Sequence, residues 1–221
     1  MARTLFTGRA GGLSVGVFES FNLGLHVNDD AETVIANRKL LTQLFSLDSL
    51  VFMNQTHGTN IVEINSADGV IPDADAIFTS TKGIGLAVLV ADCLPLLLSS
   101  PSMVAAVHVG RRGLLAGIIQ KVVAKFPQEE RDQITAEIGP AICTSCYEVD
   151  LATYVDAIAA IPELATTMDL HQLNLVAGAE AILKSSGVSV VAHRICTKEN
   201  DKYYSFRRSQ GTGRQVGVIA L

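Results

Sequence analysis

The sequence predicts an α+β fold built on mixed β-sheet, and three observations carry that reading. Short apolar runs rich in Val, Ile and Leu are interspersed with helical stretches, without a strict strand–helix–strand alternation. The chain has 221 residues, enough to bury a sizeable core as one large domain or two small ones. It is 48% hydrophobic and only 18% charged, whereas a disordered chain would be more charged and less apolar.

The elements follow in order. Residues 1–25 are Gly-rich and read as short strands and turns. DAETVIANRKLLTQLFS, residues 30–46, reads as a helix with Asp30 near its start and loosely helical apolar spacing. Strands at 50–53 and 60–64 flank NQTHGT. PDADA, residues 72–76, is a turn, and extended structure resumes at Ile77–Thr79. GIGLAVLVADCLPLLLSS, residues 83–100, reads as one buried strand; SSPS turns it into a second, MVAAVHVG. GRRG ends that strand, and LLAGIIQKVVAKF, residues 114–126, has one wide apolar helical face. A strand at ITAEIGP, helices near 151–161 and 170–185, and strands at VSVVAHR and QVGVIAL complete the chain.

Composition also narrows the setting. No apolar stretch approaches the ~20 residues of a membrane span. The start, MARTLFTGRAGGLSVG, lacks the apolar core of a signal peptide, so a cytoplasmic protein without a membrane partner is expected. Net charge is −5 and no basic block stands out, which argues against nucleic acid as a partner. Four cysteines, Cys93, Cys143, Cys146 and Cys196, read as thiols or ligands rather than a disulfide framework. Cys143 and Cys146 form a C-x-x-C with no second copy to complete a zinc ribbon, and read as two half-buried thiols in a turn.

The chemistry begins where Asp92 and Cys93 interrupt the apolar run. An unpartnered buried carboxylate costs roughly several kcal/mol, so these residues need a purpose. A hairpin centred between Ser100 and Pro101 sets Cys93 directly opposite His108, on one face and within reach of a shared metal ion. Pro95 suggests a bulge or an edge beside Cys93. A catalytic zinc site takes three protein ligands, and the chain has five histidines. His57, in NQTHGTN, is a candidate third ligand and His26 is ambiguous. His171 reads as a surface residue after a helix cap at Asp169, and His193 as a satisfied core histidine. Arg111 and Arg112 follow His108 at a strand-to-helix turn, where an anion site and a solvated Gly-rich turn are both open readings. SFRRSQGTGRQ, residues 205–215, reads as a solvated basic loop.

Taken together, these residues resemble the YfiH-like, or laccase-domain, family, also described as purine nucleoside phosphorylases and including peptidoglycan editing factors. The matching fragments are TGRAGGLS, SFNLGLHVNDD, NQTHG, PDADAIFT, VADCLPLLL, AAVHVGRRG, IGPAI…CYEV and CT…YYSFRRSQGTGR, spread along nearly the whole chain. The resemblance implies one domain over residues 1–221, with mixed sheets and flanking helices layered α/β/β/α. It implies a zinc site of His57, Cys93 and His108, from the Q-x-H-G, A-D-C and H-x-G-x-R-G motifs. Arg111 departs from the pattern, since the family has Trp at that position.

The implied activity is phosphorolysis of adenosine, inosine or methylthioadenosine with inorganic phosphate, with adenosine deamination beside it. Arg112 would hold phosphate, with Arg9 and Arg207 as further candidates. Asp92 would orient a ligand or satisfy nearby backbone N–H groups. Alternatives are copper (Cu²⁺) in the same site with polyphenol oxidation, for which five histidines are few, and a Cys93–His108 amidase acting on peptidoglycan precursors. A purely structural zinc would need a fourth ligand, for which His26 is placed.

Overall fold

The computed structural model describes residues 2–69, 71–166 and 170–221. In chain order its strands are β1 (Arg3–Phe6), β2 (Ser49–Phe52), β3 (Ile61–Glu63), β4 (Ala76–Thr79) and β5 (Ile84–Val90). They continue with β6 (Leu94–Ser99), β7 (Val104–Val109), β8 (Thr135–Ile138), β9 (Ser189–Ala192) and β10 (Gln215–Ala220). The helices are α1 (Ala31–Leu44), α2 (Arg111–Leu115), α3 (Ile118–Val123), α4 (Leu151–Ala160) and α5 (Leu175–Ser185). One sheet has four strands in the order β1-β10-β5-β2, the other six in the order β3-β4-β7-β6-β8-β9. Both are mixed: β2 runs parallel to β5 and β3 to β4, while β10 is antiparallel to β5 and β6 to β7.

Three apolar clusters show why these strands stack as they do. In β5, Leu86 and Val88 face the second sheet and meet Ile77, Leu97, Val104 and Ala106. The alternating Ala87 and Leu89 face the other way, against Leu41 and Phe45 at the end of α1. A strand covered on both faces shows no polar alternation, which is why this run is so uniformly apolar. On the far side, Leu94, Leu96 and Leu98 of β6 pack with Ile118 and Ile119 of α3, Tyr154 of α4 and Leu183 of α5. The layers are therefore α/β/β/α, as the resemblance implied. Helix α1 starts where its sequence directs, with the Asp30 carboxylate accepting from the Thr33 N–H at 2.8 Å.

Several local expectations are corrected. The run 83–100 is two strands in two different sheets, with Ala91–Cys93 as the crossing between them. Asp92 turns the chain with φ of 99°, in the left-handed region. The hairpin after β6 closes through the Ser100 N–H and the Met103 carbonyl at 2.8 Å, so its centre lies one residue later than expected. Leu94 then pairs with Val109 and Pro95 with His108. Cys93 is thus diagonal to His108 rather than opposite, and the two-residue displacement preserves the face.

Pro95 marks neither an edge nor a bulge: β6 is central, and its ladder to β8 begins only at Leu96. The helix expected over 114–126 starts at Arg111 and breaks at Gly117, whose φ is 81°. The second late helix starts at Leu175 under an Asn174 cap, and the Asp169 cap lies outside the described residues. His193 is no core residue. It follows the edge strand β9, is 40% exposed, and sits 3.6 Å from Glu137.

Candidate metal centre and its cavity

Three chain segments converge at the ends of the two sheets. The β5–β6 crossing brings Cys93, the end of β7 brings His108, and the loop between β2 and β3 brings His57. The loop is pinned by Gln55, whose side-chain amide donates to the Leu89 carbonyl at 2.7 Å and accepts from the Leu89 N–H at 2.8 Å. His57 itself takes a left-handed φ of 61°. One nitrogen from each imidazole and the Cys93 sulfur lie within 4.8 Å of one another. The Cys93 Sγ is 4.0 Å from His57 Nε2, and the two imidazole rings meet edge to face at 4.6 Å.

Asp75 organises this group, and sequence reasoning missed it. Its carboxylate is fully buried and accepts from the backbone N–H groups of His57 at 2.9 Å and Gly58 at 2.6 Å, and from the Thr56 hydroxyl at 2.8 Å. It also lies 2.8 Å from His108 Nδ1, which leaves Nε2 of that ring to the cluster. Burial alone would raise the Asp75 carboxyl, but the bonds from His108, Gly58 and Thr56 hold it well below the usual carboxylate range. Within PDADA nothing but the run of acids hinted at this; it read as a turn.

The same field acts on the thiol. Burial pushes Cys93 up, yet the His108 charge and hydrogen bonds from both imidazoles bring it down to about 6. Burial in turn lowers His108, and the Cys93 and Asp75 charges reverse that and lift it to about 9. The donor set of two imidazoles and a readily ionised thiol suits a borderline-soft cation. The space for one is kept by Gly110. A methyl group there would stand 3.1 Å from His57 Cδ2 and 3.4 Å from the Cys93 sulfur.

The cluster opens into a cavity of about 530 Å³, within the size range of small-molecule sites. Arg111, Arg112, Arg207 and Arg214 line it, with Tyr147 and Phe206. Arg112 is exposed, and among the described residues its guanidinium has no hydrogen-bond or ion-pair partner; only its backbone carbonyl is engaged, by the Ala116 N–H at 3.0 Å. Arg207 donates to the Glu148 carbonyl at 2.9 Å and lies over the Tyr147 ring at 5.0 Å. Arg9 is outside the lining; it donates to the Glu19 carbonyl and lies over Tyr204. His26 lines the cavity but is not in the donor group. Helix α2, which follows Gly110, is only five residues long, so its dipole is weak as an anion site.

Asp92 is resolved by the fold. Its carboxylate accepts from the Thr197 hydroxyl and the Arg207 N–H, both at 2.7 Å, and its carbonyl accepts from the Ile142 N–H at 2.9 Å. It satisfies backbone and hydroxyl donors and binds the C-terminal segment to the corner, rather than touching an imidazole. The basic loop at 205–215 is correspondingly well anchored: Arg208 donates to the carbonyls of Thr197 at 2.8 Å and Lys198 at 3.0 Å.

Fold and site together define a class: four-layer α+β chains with a His–Cys–His group where one sheet crosses into the other. Comparisons with known proteins identify the family. The family described as Multi-copper polyphenol oxidoreductase laccase matches residues 3–221. A Streptomyces coelicolor protein named purine nucleoside phosphorylase is 37% identical over 98% of this chain and 94% of its own. A Corynebacterium glutamicum protein of the same name is 40% identical over 99% and 94%. The crystal structure of a Neisseria meningitidis protein superposes with a TM-score of 0.92 at 37% identity, covering 100% of this chain and 94% of that one. Bacillus licheniformis YfiH gives 0.89 at 30% identity, covering 100% and 92%. The chain belongs to this laccase-like, YfiH-like family.

Proposed function

We propose that this chain is a zinc-dependent purine nucleoside phosphorylase acting on adenosine, inosine or methylthioadenosine. The observation that carries the reading is the shared cavity, where the His57–Cys93–His108 group and four arginines line one space. The names of the relatives at 37 and 40% identity support the same substrate class.

In phosphorolysis a phosphate oxygen bonds to the ribose carbon as the purine leaves with the electron pair of the glycosidic bond. A multiply charged anion must therefore be held beside a neutral nucleoside. Guanidinium groups do this through paired, charge-assisted hydrogen bonds. Arg112 has its donors unused, and Arg207 keeps part of its fork beyond the Glu148 carbonyl. We assign phosphate to these two. Phe206, 45% exposed at the rim, offers a ring face to the base in place of the Trp that Arg111 replaces. His57, Cys93 and His108 would hold the metal, with Asp75 fixing His108. Zinc bound there supplies Lewis acidity toward a substrate oxygen.

The deciding assay is adenosine with and without phosphate, using wild type and Cys93→Ala. Phosphate-dependent adenine and ribose 1-phosphate, lost in the variant and on chelation, is the expected result. Inosine formed without phosphate would instead indicate deamination, and no product at all would remove both. Copper takes the same donors, and the metal content of the purified protein identifies the native ion.

A second reading rests on the linked Cys93, His108 and Asp75 side chains, a thiol, base and orienting carboxylate in series. It predicts amide hydrolysis of peptidoglycan precursors that survives metal removal and is abolished by Cys93→Ser.

A further inference from the structure

The cavity group is not the only convergence of metal-binding side chains. The sulfurs of Cys143, Cys146 and Cys196 and a carboxylate oxygen of Glu199 all lie within 4.8 Å of one another. A tetrahedral ion at about 2.3 Å from sulfur and 2.0–2.2 Å from oxygen needs donors grouped on this scale.

Two tight turns build the group. In the first, the Cys146 N–H donates to the Cys143 carbonyl at 3.1 Å, within a single turn of 3₁₀ helix at Thr144–Cys146. In the second, the Asn200 N–H donates to the Cys196 carbonyl at 3.0 Å. Each presents its first and fourth residues, giving a C-x-x-C beside a C-x-x-E. A parallel bridge between Ala141 and Cys196 holds the turns side by side. Arg208 braces the second from behind through the Thr197, Lys198 and Asn200 carbonyls.

The hydrogen bonds within the group are those a thiolate ligand uses. The Cys143 N–H donates to the Cys196 sulfur at 3.4 Å, and the N–H groups of Lys198 and Glu199 are directed at the same atom. The Cys146 thiol donates to Glu199 at 3.5 Å, along a line a cation would replace. A disulfide would use two of the three sulfurs and leave the third and the carboxylate unused; all the cysteines are free thiols.

We infer that Cys143, Cys146, Cys196 and Glu199 form a second metal site, a closed four-donor centre for zinc. Three thiolates and a carboxylate make a soft, anionic set that selects zinc over hard cations such as Mg²⁺ or Ca²⁺. Binding exchanges thiol protons for the ion. The two centres differ as catalytic and structural sites differ: three donors facing a cavity against four donors facing one another. The second one also has a position that matters. Its first turn adjoins Ile142 and Tyr147 of the cavity lining, and its second contains Thr197, which donates to Asp92. An ion there fastens the cavity wall to the corner that carries Cys93.

The test is metal stoichiometry on the full chain, stripped by chelator, kept reduced, and titrated with Co²⁺ and Zn²⁺. Wild type is expected to bind two equivalents. Cys93→Ala should bind one, with the strong charge-transfer absorption of a three-thiolate Co²⁺ site. Cys146→Ser should lose that absorption and one equivalent. Glu199→Ala changes an exposed side chain, keeps the fold, and should release its second equivalent to a competing chelator before wild type does. A single equivalent that disappears only in Cys93→Ala overturns the second site, as does a disulfide among the three thiols in the purified protein. Since the readout is binding, it stands apart from whether the cavity carries out phosphorolysis.

Discussion

Asp75 Oδ1 lies 2.8 Å from His108 Nδ1, and neither side chain is more than 3% exposed. The contact joins the turn before β4 to the end of β7 and fixes which ring nitrogen of His108 faces Cys93. Asp75→Asn puts an NH₂ group among donors that all point at the carboxylate. Loss of one such buried acceptor should cost about 1–3 kcal/mol in urea unfolding. Metal affinity at the cavity should fall about 10–100-fold in chelator competition, because the ring is no longer held.

Gly110 separates the backbone from the donor group. Its φ is −82°, which alanine adopts without strain, so Gly110→Ala should move stability by less than about 1 kcal/mol. The added methyl meets His57 at 3.1 Å and Cys93 at 3.4 Å, and should weaken cavity metal binding by about tenfold or more. Melting temperature and Co²⁺ titration, measured together, separate the two effects. Unchanged metal affinity would mean that the donors do not close on an ion at this point.

Thiol reactivity gives a pH prediction. In metal-free protein the Cys93 thiol is lowered to about 6, so the thiolate forms above that pH and is lost below it. Cys146 is pushed up to about 12, chiefly by burial and the neighbouring thiols, and stays protonated throughout the neutral range. Iodoacetamide labelling between pH 5 and 8, read by mass spectrometry of the peptides, should show Cys93 rising with a midpoint near 6 and Cys146 inert. Zinc loading should protect Cys93.

Phosphate binding should depend on the arginines separately from nucleoside binding. Arg112→Gln and Arg207→Gln each remove charge-assisted bonds worth about 1.5–3 kcal/mol, so KM for phosphate should rise roughly 10–100-fold. KM for adenosine should change little. An equal rise in both constants would mean that the residues shape the cavity rather than hold the anion.

The sequence made some of this legible and hid the rest for identifiable reasons. Helix α1 could be read because Asp30 is a local cap, and β10 because its apolar run has the length of a strand. The Cys93–His108 pairing could be anticipated because face parity survives a two-residue displacement of the hairpin. Asp75 could not, since its partners His57 and His108 are 18 and 33 residues away and only the folded chain brings them to one carboxylate. Cys196 reads only as a thiol or ligand, and Glu199 not at all, because the partner of the C-x-x-C is a C-x-x-E 53 residues away in sequence and not a second C-x-x-C. The two-sheet split of residues 83–100 was masked because both strands are buried on both faces, so no polar alternation marks the crossing.

Asp92, inside that crossing, supplies the last prediction. A buried carboxylate in an apolar run must offset its desolvation, and here two charge-assisted bonds do so, from the Thr197 hydroxyl and the Arg207 N–H, both at 2.7 Å. Its φ of 99° adds a backbone cost that Asn or Asp tolerates better than other side chains. Asp92→Ala loses both bonds and keeps the strain, so unfolding free energy should drop by about 2–4 kcal/mol. Asp92→Asn keeps one acceptor and the conformational tolerance, and should lose roughly half as much. Since Arg207 is anchored through its own N–H to this carboxylate, the alanine variant should also raise KM for phosphate while the Cys93 group still binds one equivalent of metal. Equal stability of the two variants would show that the corner is set by backbone conformation and not by the carboxylate's bonds.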